Sequence, residues 1–327
     1  MDRAARETGR RFSVKVGAVT REAADIVSIE LTHSDDVSLP PFTAGAHIEF
    51  YLGNNLIRQY SLCNSPAERH RYVVGVLQQK ESRGGSRAMH GLRVGDSVQI
   101  SEPRNNFSLA GREANFHLLL AGGIGVTPIM AMIAELEGRK ADFLLHYCTR
   151  SPAHTAFYGR LRPLVEQGKV VLHHDGGDPA RGLDITATLA EPLPAQHVYV
   201  CGPQGFLAAA RASAGAWPPH AVHFEHFDAV PLTAEESTWD RVPFKVKVRR
   251  TGQLIDVPAN CSVVRALREQ GIEIETSCEG GYCGTCITGY VEGEPVHRDS
   301  VLSKEERKSY VMVCRARSSS PILVLDI

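Results

Sequence analysis

The first third of the chain alternates apolar and polar residues over short runs. Arg11 to Val19, Ile26 to Leu31, His47 to Leu52, Tyr72 to Leu77 and Ser97 to Ile100 each carry this period of two. Turn residues separate them, as at Leu39-Pro40-Pro41, Gly53-Asn54-Asn55 and Val94-Gly95-Asp96. Short strands at this spacing predict an antiparallel barrel. At Phe116 the pattern changes. Phe116 to Ala121 is continuously apolar, as expected of a parallel strand buried on both faces, and it runs through glycines into a helical pattern from Ile129 to Glu137. Phe143 to Cys148, Lys169 to His174 and His197 to Cys201 repeat the strand signature, and the last leads into a helix over Phe206 to Ala212. Strands alternating with helices predict an α/β layer with ligands at the carboxyl ends of the strands.

Asp228 to Arg241 is polar, proline-bearing and without periodicity, and reads as an interdomain linker. Alternation then returns at Phe244 to Arg249 and Gln253 to Val257, before a helix from Ser262 to Gln270 capped by Gly271. Ile287 to Glu292, Val311 to Cys314 and Ile322 to Asp326 complete a third set of strands. The chain therefore divides into a barrel at 10–112, an α/β domain at 113–228, a linker at 229–241 and a small final module at 242–327.

Composition supports more than one domain and narrows the partners. A chain of 327 residues is too long for one compact core. Its 43% hydrophobic and 22% charged residues are ordinary for a soluble protein. A net charge of −1 argues against nucleic acid or an anionic membrane as an obligate partner. The basic stretch Met1 to Phe12 has no apolar segment behind it, and no run reaches the about 18 apolar residues of a membrane helix. Of the eight cysteines, Cys63, Cys148, Cys201 and Cys261 are scattered and read as small buried side chains, so the chain is expected in a reducing cytoplasm.

The other four carry chemistry. Cys278, Cys283 and Cys286 have four and then two residues between them, and Cys314 follows at a distance. This is the plant-type spacing for a [2Fe–2S] cluster, in which each iron takes two thiolates. Gly280, Gly281 and Gly284 leave room for backbone close to the cluster and can take up positive φ. Zinc ribbons use paired C-x2-C knuckles, of which there is one here, and disulfides do not suit a chain without a secretory signal.

Three further stretches suit flat or phosphorylated ligands. Arg58-Gln59-Tyr60-Ser61-Leu62 sets a fixed cation beside an aromatic ring and a hydroxyl near the end of a strand. Ser82-Arg83-Gly84-Gly85-Ser86-Arg87-Ala88-Met89 is a glycine turn entering a short helix with Ser86 as its N-cap, or else a plain capped surface turn. Gly122-Gly123-Ile124-Gly125-Val126-Thr127-Pro128 joins a strand to a helix, although Thr127 stands where the G-x-G-x-x-G fingerprint has its third glycine. Gly202-Pro203 makes a second turn after a later strand, so both turns are expected in one crevice. The 14 histidines show no metal-ligand spacing and are assigned no chemistry.

Arg58-x-Tyr60-Ser61, Gly84-Gly85-Ser86, Gly122-Gly-x-Gly-x-Thr-Pro128 and Cys201-Gly202-Pro203 resemble, in order and spacing, the ferredoxin–NADP reductase superfamily. With the cysteine module at the C-terminus, the chain from about Arg11 onward resembles the phthalate dioxygenase reductase family, which includes vanillate O-demethylase reductases. The resemblance implies a multidomain α+β protein: an antiparallel flavin-binding β-barrel, a parallel-sheet nicotinamide domain and a β-grasp ferredoxin. It implies that Arg58, Tyr60 and Ser61 hold the flavin, and that Gly85 and Ser86 add phosphate contacts. Gly123, Thr127, Cys201, Gly202 and Pro203 would line the dinucleotide site, and Phe227 would sit where nicotinamide meets flavin. Ser61, Cys201 and Phe227 would surround the hydride transfer, with no residue acting as acid or base.

This domain order points to FMN rather than FAD, and the family mostly uses NADH rather than NADPH. Arg150 and Ser151 at a strand end suit a 2′-phosphate in principle, but Arg150 reads better as a solvated surface charge. The expected path runs from NADH through FMN and the cluster to a Rieske-type terminal oxygenase. One rival is a stand-alone NAD(P)H diaphorase with another acceptor. A redox sensor is the other, and it lacks the basic stripe or output surface it would need.

Overall fold

The computed structural model describes residues 11–35, 37–53, 56–82, 84–111, 113–229 and 232–327. Residue 10, Asn54 and Asn55 of one predicted turn, Arg83, Arg112 and Pro231 lie outside the described residues. The chain forms two compact units, one ending at Phe227 and the other beginning at Asp228.

The first unit opens with β1 (Arg11–Ala23), β2 (Ile26–His33), β3 (His47–Tyr51), β4 (Ile57–Ser61), β5 (Tyr72–Leu77), α1 (Gly85–His90) and β6 (Ser97–Ser101). Among the described residues these strands form one sheet in the order β4-β3-β6-β1-β2-β5, antiparallel at every pairing. A bridge between Leu62 and Val74 joins its two edges, so the sheet closes into the expected barrel. Alternation decides the inside: Val14, Val16, Ile29, Leu31, Ile48 and Phe50 are all fully buried.

The cap of α1 differs from expectation. Gly84 occupies it with φ 94°, a left-handed angle open to glycine and costly for serine. Ser86 lies inside the helix, where its hydroxyl accepts from the Gln79 amide at 3.2 Å and donates to Ser82 Oγ at 3.0 Å.

The α/β layer follows as β7 (Phe116–Gly122), α2 (Val126–Arg139), β8 (Phe143–Thr149), α3 (Tyr158–Glu166), β9 (Val170–His174), α4 (Ile185–Leu189), β10 (Gln196–Cys201), α5 (Gln204–Ser213) and β11 (Val222–Glu225). Its sheet runs β11-β10-β7-β8-β9, parallel throughout. The strand order reverses between β7 and β10, which opens a crevice at their carboxyl ends. Helix α2 begins at Val126, ahead of the predicted Ile129, because Pro128 in a first turn lacks only an amide that has no partner there. Leu119, Leu145 and Tyr199 share one apolar core with the barrel's Val74 and Phe107, whereas Leu118, Leu120 and Val198 pack with Leu207 and Trp217 in another. Histidines recur on the sheet: His117, His197 and His223 each take the second position of their strand. His197 Nδ1 lies 2.9 Å from His223 Nε2, and His146 Nδ1 lies 2.9 Å from His173 Nε2.

The second unit comprises α6 (Ala234–Thr238), β12 (Phe244–Val248), β13 (Leu254–Val257), α7 (Val263–Glu269), β14 (Ile287–Glu292), β15 (Pro295–Val296), β16 (Tyr310–Met312), β17 (Arg317–Ser318) and β18 (Ile322–Leu325). Its main sheet runs β13-β12-β18-β14-β16, with β12 and β18 parallel, and α7 packs Val264 and Leu267 into the core with Val246 and Leu323. Ser262 caps α7 by accepting from the Arg265 amide at 3.2 Å, and Gly271 follows with φ 75°, as the sequence predicts.

The segment read as a linker holds structure of its own. Thr233 and Glu236 form a reciprocal capping box that starts α6, and this box explains how so polar a stretch becomes helical. Backbone oxygens of Glu236 and Trp239 accept hydrogen bonds from the side chains of Arg298 and Arg317, at 3.2 and 3.1 Å. Residues 232–241 thus belong to the body of the second unit.

Candidate functional site

Strand β4 carries Arg58 and Tyr60 on one face. Tyr60 meets Phe50 edge-on, with ring centroids 5.5 Å apart, and Ser61 is buried opposite His47. Burial pushes the Tyr60 phenol up to about 12, while the Arg58 charge pulls the other way. Arg58 lies against the glycine turn of α1: a Cβ on Gly85 would stand 2.5 Å from Arg58 Cγ and 2.7 Å from its Nε. Two stretches far apart in sequence therefore form one corner, and any side chain at position 85 would require Arg58 to move.

The two turns of the α/β layer also meet. A Cβ on Gly125 would lie 2.3 Å from the Cys201 carbonyl oxygen, and one on Gly122 would lie 2.8 Å from Pro203 Cδ. Gly122, Gly125, Cys201, Gly202 and Pro203 are thus packed backbone to backbone at the point where the strand order reverses. In front of Gly123, at φ 53°, a Cβ would meet nothing within 4 Å, so the turn faces open space. Thr127 is buried, donates to the Ile124 carbonyl at 3.0 Å and presents its methyl group to Gly75 of the barrel. Thr127 thereby pins the start of α2 to the barrel, which a third glycine could not do. Phe227 is half-buried against the same core.

Glu225 was not singled out from the sequence. It pairs with Cys201 in the β10–β11 ladder, and its Oε2 is buried without a hydrogen-bond partner. Burial raises this carboxyl to about 8, and it pushes the Cys201 thiol well above its usual range, with the Glu225 charge adding to the effect. An acidic residue in the last strand of a parallel sheet, where solvation is scarce, was the available signal. Arg150, by contrast, is exposed beyond β8. A cavity of about 240 Å3 elsewhere on the unit involves none of these residues, and its Arg71 already pairs with Glu30 and Glu68.

In the second unit Cys278, Cys283, Cys286 and Cys314 are all buried. They act on one another as two pairs, Cys278 with Cys283 and Cys286 with Cys314. Among the described residues no three or more ligating side chains are arranged to hold a single ion. Two pairs of soft donors are what two irons need, each taking two thiolates. The Cys283 hydrogen bond brings Cys278 down to about 7 and is the largest influence on it; the amides of Gly280, at 3.2 Å, and Tyr282 help. Gly281 and Gly284 have φ 80° and 87°, and a Cβ on Gly280 would lie 2.7 Å from Ala229 Cα. The residues present fit the cluster.

Residues 246–319 match the 2Fe-2S iron-sulfur cluster binding domain family. The reductase subunit of the tert-butanol monooxygenase / tert-amyl alcohol desaturase of Aquincola tertiaricarbonis is 42% identical over 97% of this chain and 96% of its own length. The vanillate O-demethylase oxidoreductase of Pseudomonas sp. (strain HR199 / DSM 7063) is 43% identical over 97% of this chain and 100% of its own. Among solved structures, phthalate dioxygenase reductase, described as modular for electron transfer from pyridine nucleotides to [2Fe-2S], superposes with a TM-score of 0.72. It is 40% identical, and the match covers 97% of this chain and 98% of that one. The chain belongs to the phthalate dioxygenase reductase family. It is accordingly an oxidoreductase of three architectural parts, and the family and fold expected from the motifs are borne out. No helix among the described residues is long and apolar enough to cross a membrane.

Proposed function

We propose that this chain is the reductase component of a two-component oxygenase system, passing electrons from NADH through FMN and a [2Fe–2S] cluster to a Rieske-type terminal oxygenase. The observation that carries this reading is the coexistence, in one chain, of a glycine-lined crevice at the strand ends and two pairs of buried cysteines. When bound, the flavin accepts hydride from the nicotinamide and releases electrons singly, as the cluster requires.

The chain's own residues bind and orient. Arg58, Gly85 and Ser86 hold the flavin phosphate, and Tyr60 and Ser61 present the strand edge to its ring. Gly123 and the start of α2 receive the pyrophosphate, with Thr127 fixing the helix to the barrel. Cys201, Gly202, Pro203 and Phe227 shape the nicotinamide end. Glu225 pairs with Cys201 in the strand ladder there, and burial raises its carboxyl to about 8. Cys278 with Cys283, and Cys286 with Cys314, take one iron each. The proposed domains are 10–112, 113–228 and 242–327, with the connecting segment 229–241 packed on the last of them, and the compartment is the cytoplasm. Arg150 is exposed and reads as a solvated surface charge, so NADH is taken over NADPH.

The test is an anaerobic titration of the purified protein with NADH and then NADPH, followed by visible absorbance, EPR and chromatography of the acid-released flavin. Bleaching by NADH, a reduced [2Fe–2S] signal and extracted FMN are expected. Adding a Rieske-type oxygenase should then accelerate NADH consumption. Equal consumption without it would establish the diaphorase reading instead.

A further inference from the structure

The segment before β12 does more than connect. Arg298 is buried, with its side chain 5% exposed. Its Nε donates to the Arg315 carbonyl at 2.7 Å, and its Nη1 donates to the Glu236 carbonyl at 3.2 Å and to Asp240 Oδ1 at 2.9 Å. Arg315 directly follows Cys314, and its Cγ lies where a Cβ on Gly281 would reach it at 3.0 Å. Arg298 therefore holds with one fork the backbone beside one cluster cysteine and two points of the 232–241 segment. A second buried arginine, Arg317, donates to the carbonyls of Trp239, Val242, Pro258 and Cys261. At the far end of the segment Ala229 sits directly on Gly280, between Cys278 and Cys283.

We propose that Ala229 and residues 232–241 form a cover over the cluster loop, and that Arg298 is the positioning residue that fastens it. Water reaches a cluster chiefly past the backbone that packs on its loop, so a fastened cover limits both solvent and the escape of iron. Arginine suits the role because its rigid planar fork spreads its donors to acceptors on separate segments, whereas an ammonium concentrates its three donors on one atom. The inference rests on the cluster reading of the four cysteines.

The experiment uses the full-length protein with its cofactors and three variants: Arg298→Met, Arg298→Lys and Gly280→Ala. Iron release to a colorimetric chelator and amide hydrogen exchange are measured well below the unfolding temperature. Arg298→Met should release iron about tenfold faster or more, since one charge-assisted bond to a buried partner is equivalent to at least that change in an opening equilibrium. Amide protection should fall over 232–241 and 278–286 while β12 and β18 retain theirs. Arg298→Lys keeps the charge without the fork and should restore neither property. Gly280→Ala should displace Ala229 and accelerate iron release with Arg298 intact. Unchanged iron release in both Arg298→Met and Gly280→Ala would overturn the proposal, as would protection lost evenly across the whole unit. A wild-type protein that holds no iron would overturn the cluster reading itself.

Discussion

In the first unit the candidate site is made of backbone. Gly122, Gly125 and Gly202 press together at the ends of β7 and β10, and a shared apolar core behind them sets their spacing. In the second unit the site is made of side chains on a loop. Four cysteine sulfurs stand in two pairs, and their surroundings are held by buried Arg298 and Arg317, which gather carbonyl oxygens from several segments. A crevice built from strand ends is complete once the sheet has folded. A ligand loop that gathers four buried sulfurs is completed by the metal they hold. The first unit should therefore fold without its cofactors, and the second should depend on its cluster.

The sharpest way to break this contrast is Cys283→Ser. Removing one of the buried sulfurs leaves one iron short of a ligand, and all [2Fe–2S] absorbance and EPR signal should disappear. Reduction of the flavin by NADH in the first unit should remain within about twofold of wild type, because residues in separate compact units act additively. A variant that has lost flavin reduction as well would show that the units are not independent.

Gly125→Val strikes the other unit and should act more narrowly. Any Cβ there must come within 2.3 Å of the Cys201 carbonyl oxygen, so β7 and β10 have to move apart at the crevice. Overpacking of this kind costs about 1–3 kcal/mol, and the NADH affinity should drop by tenfold or more at a stable cluster signal. Unchanged NADH affinity would remove the crevice from the binding site.

What could be read from the sequence follows from how local each signal is. Period-two alternation and the spacing of Cys278, Cys283 and Cys286 lie within short windows, so the strands and a candidate cluster loop were legible, with Cys314 as the distant fourth candidate. Arg58 and Gly85 were each legible, but not that one packs on the other. The cap at Gly84 escaped because serine is the commoner cap and only the backbone angle decides. Arg298 and Arg317 escaped for a different reason. Their partners, Asp240 and Trp239, lie 58 and 78 positions away, and an arginine bound for the interior has the same letter as one bound for water. Glu225 is the same case with the opposite charge.

The smallest predicted effect is graded and concerns acid. Burial pushes His117, His146 and His223 from 6.5 down to about 4, and neighbouring cations add to it: His197 and Arg139 for His117, His173 for His146, and His197, His117 and His220 for His223. Unfolded, these histidines take up protons near pH 6.5; folded, they resist until about pH 4. Their contribution to stability is thus whole above pH 6.5 and lost as pH falls toward 4. Glu225 works in the opposite sense. Raised by burial from 4.5 to about 8, it keeps its proton in the folded state, so its contribution declines as pH rises between those values. These bases, with His173, His197 and His226 held down by burial in the same way, outweigh Glu225 below pH 6.5, and above it Glu225 and then the raised thiols lower stability as pH rises, so the first unit should be most stable near pH 6.5. In the second unit burial raises Asp299, but the His297 ring 3.8 Å from its Oδ2, the Leu302 amide at 2.8 Å, the Arg307 charge and the Val301 amide at 3.1 Å outweigh it and hold the carboxyl below its ordinary 3.8. That contribution persists until pH falls below this range. Trp217, buried in the first unit with its indole donating to the Leu189 carbonyl at 2.9 Å, reports on that unit alone once Trp239→Phe silences the other tryptophan. Thermal unfolding followed at Trp217 should peak near pH 6.5 and fall on both sides, more steeply toward acid. A curve that stays flat between pH 4 and 6.5 would mean that the histidine rows are solvated, and the contrast between the units would then rest on the cysteines alone.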